Sequence, residues 1–298
     1  MKNKERPSQN LTYVFVTVLL ALALLIFADY LGYTEKLQAF FVGENNNCVR
    51  FLDVGQADCT LFENEGKFFL IDVGNNTDDG FAVESKLRHY GVDTLDGIIL
   101  SHLHSDHAGG INRILENFDC KSIYLSSSID REDESYLDLF ASLSDETKVI
   151  YLNRNDKIFF GSAVFSVLWT SERQSGNNSS LVIKAECDEM CFFFGGDISS
   201  TVEREMLNAG VLSRFDVLKA SHHGSKSSSC DEFLDYISPK YCVCFCGEDN
   251  RFEFPNEEFV NRLRQRDITL YVTCENGDIT FDTAKQKVIL EKTNAAHQ

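Results

Sequence analysis

Three imidazoles and a carboxylate occupy six consecutive positions, His102-Leu103-His104-Ser105-Asp106-His107. Imidazole nitrogen and carboxylate oxygen are donors that suit zinc, manganese or iron, and three of them plus a water leave a coordination position open for chemistry. The six residues follow the apolar stretch Gly97 to Leu100, so they emerge from a buried strand. Polar groups packed that densely beside a buried strand are costly to desolvate without a partner, and a metal ion would satisfy them together. The alternative is a solvated histidine-rich turn. Three further candidates end apolar runs: Asp72 after Phe-Phe-Leu-Ile, Asp197 after Phe-Phe-Phe-Gly-Gly, and His222 after Val-Leu-Lys-Ala-Ser. Taken singly, each reads as a turn carboxylate or a hydrogen-bonded histidine. Beside the histidine cluster they describe one rim where sheet ends converge.

Such a rim needs strands that end together. Residue patterning predicts strands over Cys48–Leu52, Cys59–Glu63, Phe68–Asp72, Gly97–Leu100 and Ser122–Leu125, with helices over Val83–Tyr90, Asn112–Phe118 and Glu132–Leu143. Val149–Leu152, Lys157–Phe160 and Ala163–Trp169 are expected to open a second sheet. A hairpin of Ser180–Ala185 and Met190–Phe194, strands at Asp216–Ala220, Tyr241–Cys246, Thr269–Thr273 and Asp278–Asp282, and helices at Ser200–Asn208, Glu232–Ile237 and Glu257–Gln265 complete the pattern. Strands in both halves with helices between them predict a layered α/β sandwich.

The 298 residues are 43 % hydrophobic and 25 % charged, which supports one large packed domain and excludes a disordered chain. The formal charge of −18 argues against nonspecific coating of nucleic acid or of an anionic membrane surface, while leaving room for a local basic groove. Leu11 to Phe27 is apolar except for Thr12 and Thr17 and follows Lys2, Lys4 and Arg6. It reads as a membrane anchor over 11–33 with a cytoplasmic N-terminus at 1–10 and the body on the outer face; a cleaved signal peptide is the alternative. A linker at 34–47, a main domain at 48–290 and a tail at 291–298 follow. The ten cysteines show no CxxC pair, which excludes the zinc-ribbon spacing. Cys242, Cys244 and Cys246 fall on one strand face and read as small buried hydrophobes. Cys187 and Cys191 flank an expected turn at Asp188-Glu189 and could pair if the body is extracytoplasmic.

His102 to His107 resembles the HxHxDH signature of the metallo-β-lactamase superfamily, including the Gly-Gly that follows. Phe51 to Asp58, Asn177 to Val182, Gly196-Asp197-Ile198 and Asp216 to Ser225 are similar to the C-terminal hydrolase domain of the ComEC family of competence DNA-uptake proteins. The likeness spans about Val49 to Phe281. It implies an αββα metallo-β-lactamase sandwich, here preceded by one transmembrane helix, and a site holding one or two divalent ions, zinc or manganese. His102, His104 and Asp197 would hold one ion; Asp106, His107, Asp197 and His222 the other, with Asp197 bridging. Where other members place a further histidine, this chain offers Asn178, which implies a weaker or mononuclear site. The branch usually has Gly at position 57 and a His-Pro pair, whereas here stand Ala57 and Phe254-Pro255. The family's multi-helix channel is missing, so a separate channel protein would be the partner in DNA uptake.

A bound divalent metal lowers the pKa of its water from about 15.7 toward 7, and a second can stabilise attacking and leaving oxygens. Asp106 could orient that water. His223 is either the acid for the leaving oxygen or a partner of His222. Lys219, Lys226 and Arg251 lie near these motifs and are candidate phosphate contacts or ordinary surface charges, and Ser225 is a further candidate contact. Asp53, Asp58 and Asp72 are expected behind the site. The expected activity is a membrane-anchored metal-dependent hydrolase cutting a phosphodiester, with DNA as the expected substrate. A hydrolase of small esters, lactones or envelope phosphodiesters, and a binding protein with a degraded metal site, are the alternatives. Oligomeric state has no signature in the sequence.

Overall fold

The computed structural model describes residues 47–291, apart from 76–79, 133, 142, 144–145, 172–175 and 249. The first half runs β1 (Cys48–Phe51), β2 (Thr60–Asn64), β3 (Lys67–Ile71), α1 (Gly80–His89), β4 (Thr94–Leu95), β5 (Gly97–Ile99), α2 (Ser105–Ala108), α3 (Ile111–Asn117), β6 (Asp119–Cys120), β7 (Ser122–Ser126), α4 (Glu134–Ala141) and β8 (Lys148–Leu152). The second runs β9 (Lys157–Phe160), β10 (Ala163–Trp169), β11 (Val182–Cys187), β12 (Met190–Phe194), α5 (Ser200–Ala209), β13 (Val217–Lys219), α6 (Asp231–Ile237), β14 (Tyr241–Cys244), α7 (Glu257–Arg264), β15 (Thr269–Val272), α8 (Thr273–Asn276), β16 (Asp278–Asp282) and β17 (Lys287–Glu291).

Two mixed sheets result. One has the order β17-β16-β1-β2-β3-β5-β7-β8, the other β15-β14-β13-β12-β11-β10-β9. In each, an antiparallel half meets a parallel half: β3, β5, β7 and β8 run parallel in the first, β12 to β15 in the second. Parallel strands need covered faces, and their side chains supply the cover. Phe69 and Ile71 point into one cluster with Phe165 and Phe192, while Leu70 between them joins Leu87 and Ile114 of α1 and α3. Phe192 and Phe194 enter the inter-sheet cluster, and Phe193 packs with Met206 and Phe233 of α5 and α6. The period of two thus builds four layers, α-β-β-α, around three apolar clusters. Phe62 and Phe165 join the sheets edge to face, with centroids 4.9 Å apart.

Several expectations change in position. Val149–Leu152 does not open the second sheet: it is the edge of the first, with Ser122 opposite Lys148, because α4 carries the chain back to lie parallel to β7. The chain gains a last strand, β17, on β16. Cys187 and Cys191 are both free. They sit on opposite strands in adjacent registers, so Cys187 faces the inter-sheet core and Cys191 the helical layer. Cys242, Cys244 and Cys246 are buried together on the helix face of the second sheet, as alternation requires. The proposed N-terminus at 1–10, anchor at 11–33 and nearly all of the linker at 34–47 lie outside the described residues, as does nearly all of the tail. Among the described residues no helix is long and apolar enough to cross a membrane.

Candidate metal centre

The carboxyl ends of β3 and β5 in one sheet and of β12 and β13 in the other carry the chemistry-bearing residues, the usual place for a site in open α/β sheets. Asp72 follows β3, with φ 58°. It accepts hydrogen bonds from Ser101 N at 2.7 Å and Ser101 Oγ at 2.8 Å, and its Oδ2 lies 2.8 Å from His107 Nδ1. That contact places the His107 proton on Nδ1 and leaves Nε2 to face Asp197 Oδ1 at 3.2 Å. Asp106, one residue earlier on α2, has an oxygen 3.1 Å from His223 Nε2. His223 is oriented from behind, its Nδ1 lying 3.1 Å from the Phe245 carbonyl oxygen. Its Nε2 is 3.9 Å from Asp197 Oδ2.

The backbone spends energy on this arrangement. His222 and His223 take φ of 51° and 52°, the left-handed region that costs a residue with a Cβ about 1–2 kcal/mol each. The turn drives His223 inward, where it is 2 % exposed, and leaves His222 on the rim. There His222 Nε2 is 4.0 Å from Asp197 Oδ2 and 3.3 Å from Asn177 Nδ2. His102 is buried, with its ring 4.2 Å from His107 and 4.6 Å from the exposed His104.

Asp106, His107, Asp197 and His223 bring one donor atom each within 4.8 Å of the others. His102 Nε2 is buried with no hydrogen-bond partner, and the buried His107 Nε2 and Asp197 Oδ1 have only each other. Buried donors and acceptors are ordinarily paired, so converging lone pairs of this kind fit a bound cation. A second group, Asp58, Asp72 and His107, is also close. There the Lys219 ammonium already supplies the cation: it pairs with Asp58, lies 3.6 Å from Asp197 and donates to Gly196 O at 3.0 Å.

Electrostatics follow this packing. Burial acts to raise the Asp197 carboxyl, but His107, His223 and Lys219 overcome it and hold it well below the usual range. Asp106 is likewise lowered against its burial by His223 and His107. Burial would lower His107 and His223; the facing carboxylates of Asp197, Asp58, Asp72 and Asp106 instead raise both. His102 is pushed well down, by burial first and by His107 second. Burial also lowers His222.

Residues 52–248 match the family profile described as the metallo-beta-lactamase superfamily. The chain belongs to that superfamily. Competence proteins are among its relatives, as the resemblance to the ComEC hydrolase domain implies. ComE operon protein 3 of Bacillus subtilis (strain 168) is 30 % identical over 193 residues, 64 % of this chain and 25 % of that protein. Competence protein ComA of Neisseria gonorrhoeae is 26 % identical over 262 residues, 87 % of this chain and 35 % of that protein. The chain thus spans about a quarter to a third of these relatives' length. Among solved structures, the metallo-beta-lactamase fold protein YhfI from Bacillus subtilis superposes with a TM-score of 0.51 at 15 % identity, covering 76 % of this chain and 96 % of that one. The expected αββα sandwich is therefore the observed one, and the chain is a metal-dependent hydrolase of the superfamily.

Within this metallo-beta-lactamase domain, His102, His107, Asp106, Asp197, Asp58, Asp72 and both histidines of 222–223 converge, with His104 beside His102 and Lys219 beneath them, whereas the remaining candidates lie apart. Lys219 is no surface cation: on β13 it alternates with Leu218 and shares the inter-sheet face of Val217, so it is buried beneath the site. Asn178 Oδ1 accepts from Ser199 N at 2.9 Å and holds the loop before α5, while its neighbour Asn177 faces His222. Asp53 is tied through its backbone N–H to Asp278, Ser225 Oγ lies 2.9 Å from Ser227 Oγ, and Lys226 is exposed. Sequence reasoning missed Ser101, whose place between a buried strand and His102 was a readable signal. It also missed the Phe245 carbonyl that orients His223, and a main-chain oxygen carries no signal at all.

Proposed function

We propose that the chain is a phosphodiesterase acting on nucleic acid strands, anchored by its N-terminal segment with the catalytic body outside the cytoplasmic membrane, and supplying a separate DNA-uptake channel protein. The observation that carries the reading is that Asp106 of the donor cluster, together with His104, lines an open cleft of about 750 Å³ whose wall also includes Gln56, Asn250, Arg251 and Phe252. The competence names of its relatives support the substrate class.

His107, Asp197, His223 and Asp106 would hold one divalent ion, zinc or manganese, and His102 with His104 would reach a second. When bound, such an ion acidifies water and neutralises charge on phosphate oxygens. The protein's own contribution is orientation. Asp72 and the Phe245 carbonyl fix the two histidine tautomers, so that both Nε2 lone pairs point inward. Asp197 and Asp106 stay ionised, and Lys219 offsets the buried negative charge behind them. His222, on the rim, is the group through which a proton can pass between the site and solvent.

The test incubates the full chain with single-stranded DNA, duplex DNA and bis-p-nitrophenyl phosphate in zinc or manganese. Hydrolysis of DNA that disappears in His107→Ala and Asp197→Asn is expected. Turnover surviving both substitutions would remove the site, and cleavage of small esters alone would replace the substrate class. Protease cleavage of the body in intact spheroplasts is expected from the outer orientation; full protection would reverse it.

A further inference from the structure

The cleft wall carries a large apolar side chain that the fold does not use. Phe252 is 54 % exposed, although burial would have stabilised the fold. Its ring stacks on Phe254, with centroids 5.6 Å apart and planes at 17°. Phe254 in turn stacks on His223, at 6.1 Å and 18°. Three rings, each near-parallel to the next, thus lead from the candidate metal centre to the open cleft. The loop is held in place: Asn250 accepts from Phe254 N at 2.7 Å and donates to Phe254 O at 2.8 Å and Gly247 O at 3.1 Å. A surface held in this way needs no ordering when a ligand arrives. Beside it, the Arg251 guanidinium lies 5.3 Å from the Phe252 ring centre.

We infer that Phe252 is a base-stacking platform, with Arg251 as its cation, that seats one nucleobase of a single-stranded nucleic acid next to the phosphodiester presented to the metal centre. The inference rests on the phosphodiesterase reading and names its substrate as single-stranded. A flat apolar face paired with one cation, on a wall whose other lining is polar apart from Leu103, fits a ligand that alternates rings and anions. A lipid or an apolar peptide would need a continuous apolar groove. Stacking on an aromatic ring is indifferent to base identity, since every base has a π face, and an arginine can lie on the base or pair with the phosphate. Bases in a duplex already stack on each other and present no free face, so the platform selects single strands or frayed ends. Phe254 is thereby the middle plane of the stack.

The experiment measures binding of the metal-loaded full chain by fluorescence anisotropy. The probes are phosphorothioate-linked oligothymidine about 12 nucleotides long, which resists cutting, the same strand with abasic sugars throughout, and the matching duplex. The wild type is expected to bind oligothymidine roughly tenfold tighter than the abasic strand or the duplex. Phe252→Ala should abolish that preference and Phe252→Trp should keep it, with circular dichroism showing both folded. Equal affinity for base-bearing and abasic strands, no binding of either, or a Phe252→Ala protein with wild-type preference would each overturn the platform. Ordinary phosphodiester oligothymidine is assayed for cleavage in parallel. A base preference without cleavage would remove the phosphodiesterase reading and keep the platform, while cleavage without base preference would do the reverse.

Discussion

Two adjacent histidines share a left-handed turn yet have different surroundings. His223 is enclosed, with one nitrogen on a carbonyl oxygen and the other on Asp106, whereas His222 is partly exposed and meets Asn177. Removing His223 should therefore cost metal, and removing His222 should cost mainly rate. His223→Ala is expected to lower bound metal below one equivalent, and His222→Ala to retain it, in elemental analysis of the purified proteins; the opposite pattern would exchange their roles. The raised His107 and His223 also set a pH dependence. Ligand nitrogens must lose their protons, and these two keep theirs to higher pH than an ordinary histidine does. Affinity for zinc should thus rise with pH up to the raised values, by about tenfold per pH unit for each proton released. Competition with a chromophoric chelator between about pH 6 and 8 measures this, and a flat profile would contradict it.

At the scale of elements, the turn after α2 explains the paired glycines of the signature. Gly110 donates its N–H to Gly74 O at 3.0 Å, and a Cβ on it would lie 2.3 Å from the Val73 carbonyl oxygen. Gly109, with φ −61° and ψ −31°, has ordinary helical backbone. Gly110→Ala is expected to destabilise by about 1–3 kcal/mol through the forced backbone shift, and Gly109→Ala by less, in urea denaturation. The same contact was invisible as a sequence feature, because spacing names the glycines without naming the backbone they approach. The neighbouring element β13 gives the converse lesson. Lys219 reads as a surface cation until alternation along the strand places it inward, against Asp58. Lys219→Met would leave buried carboxylates uncompensated and is expected to cost about 3–5 kcal/mol in metal-free protein.

For the whole molecule, the inter-sheet aromatic cluster is what brings the two halves of the site together. Asp72 and His107 follow strands of one sheet, Asp197 and His223 strands of the other, and Phe62, Phe165, Phe192 and Phe194 fill the space between the sheets. Phe62→Ala should cost about 3–5 kcal/mol in unfolding and loosen metal binding as a consequence. A metal ion held by these residues would tie the same halves from the other end. An ion bound only by the folded state, at a thousand times its dissociation constant, adds about 4 kcal/mol, so chelation should lower the melting temperature by roughly 10 °C. A calorimetric scan with and without chelator checks this, and an unchanged midpoint would mean that no ion bridges the sheets.

The sequence by itself determined the layered α/β class, the inner faces of the strands and the strand ends at which the candidate ligands gather, because each rests on local alternation and on residue type. It also identified the cysteines of Tyr-Cys-Val-Cys-Phe-Cys as one buried face. Tertiary structure alone decided which sheet Lys148–Leu152 joins, since parallel pairing depends on where a crossover helix returns the chain. It alone separated His223 from His222, because two consecutive left-handed residues divide inside from outside in a way that residue type does not encode. And it alone stacked the exposed ring of Phe252, through Phe254, on an imidazole of the candidate metal site, a relation among residues about 30 positions apart that only packing can set.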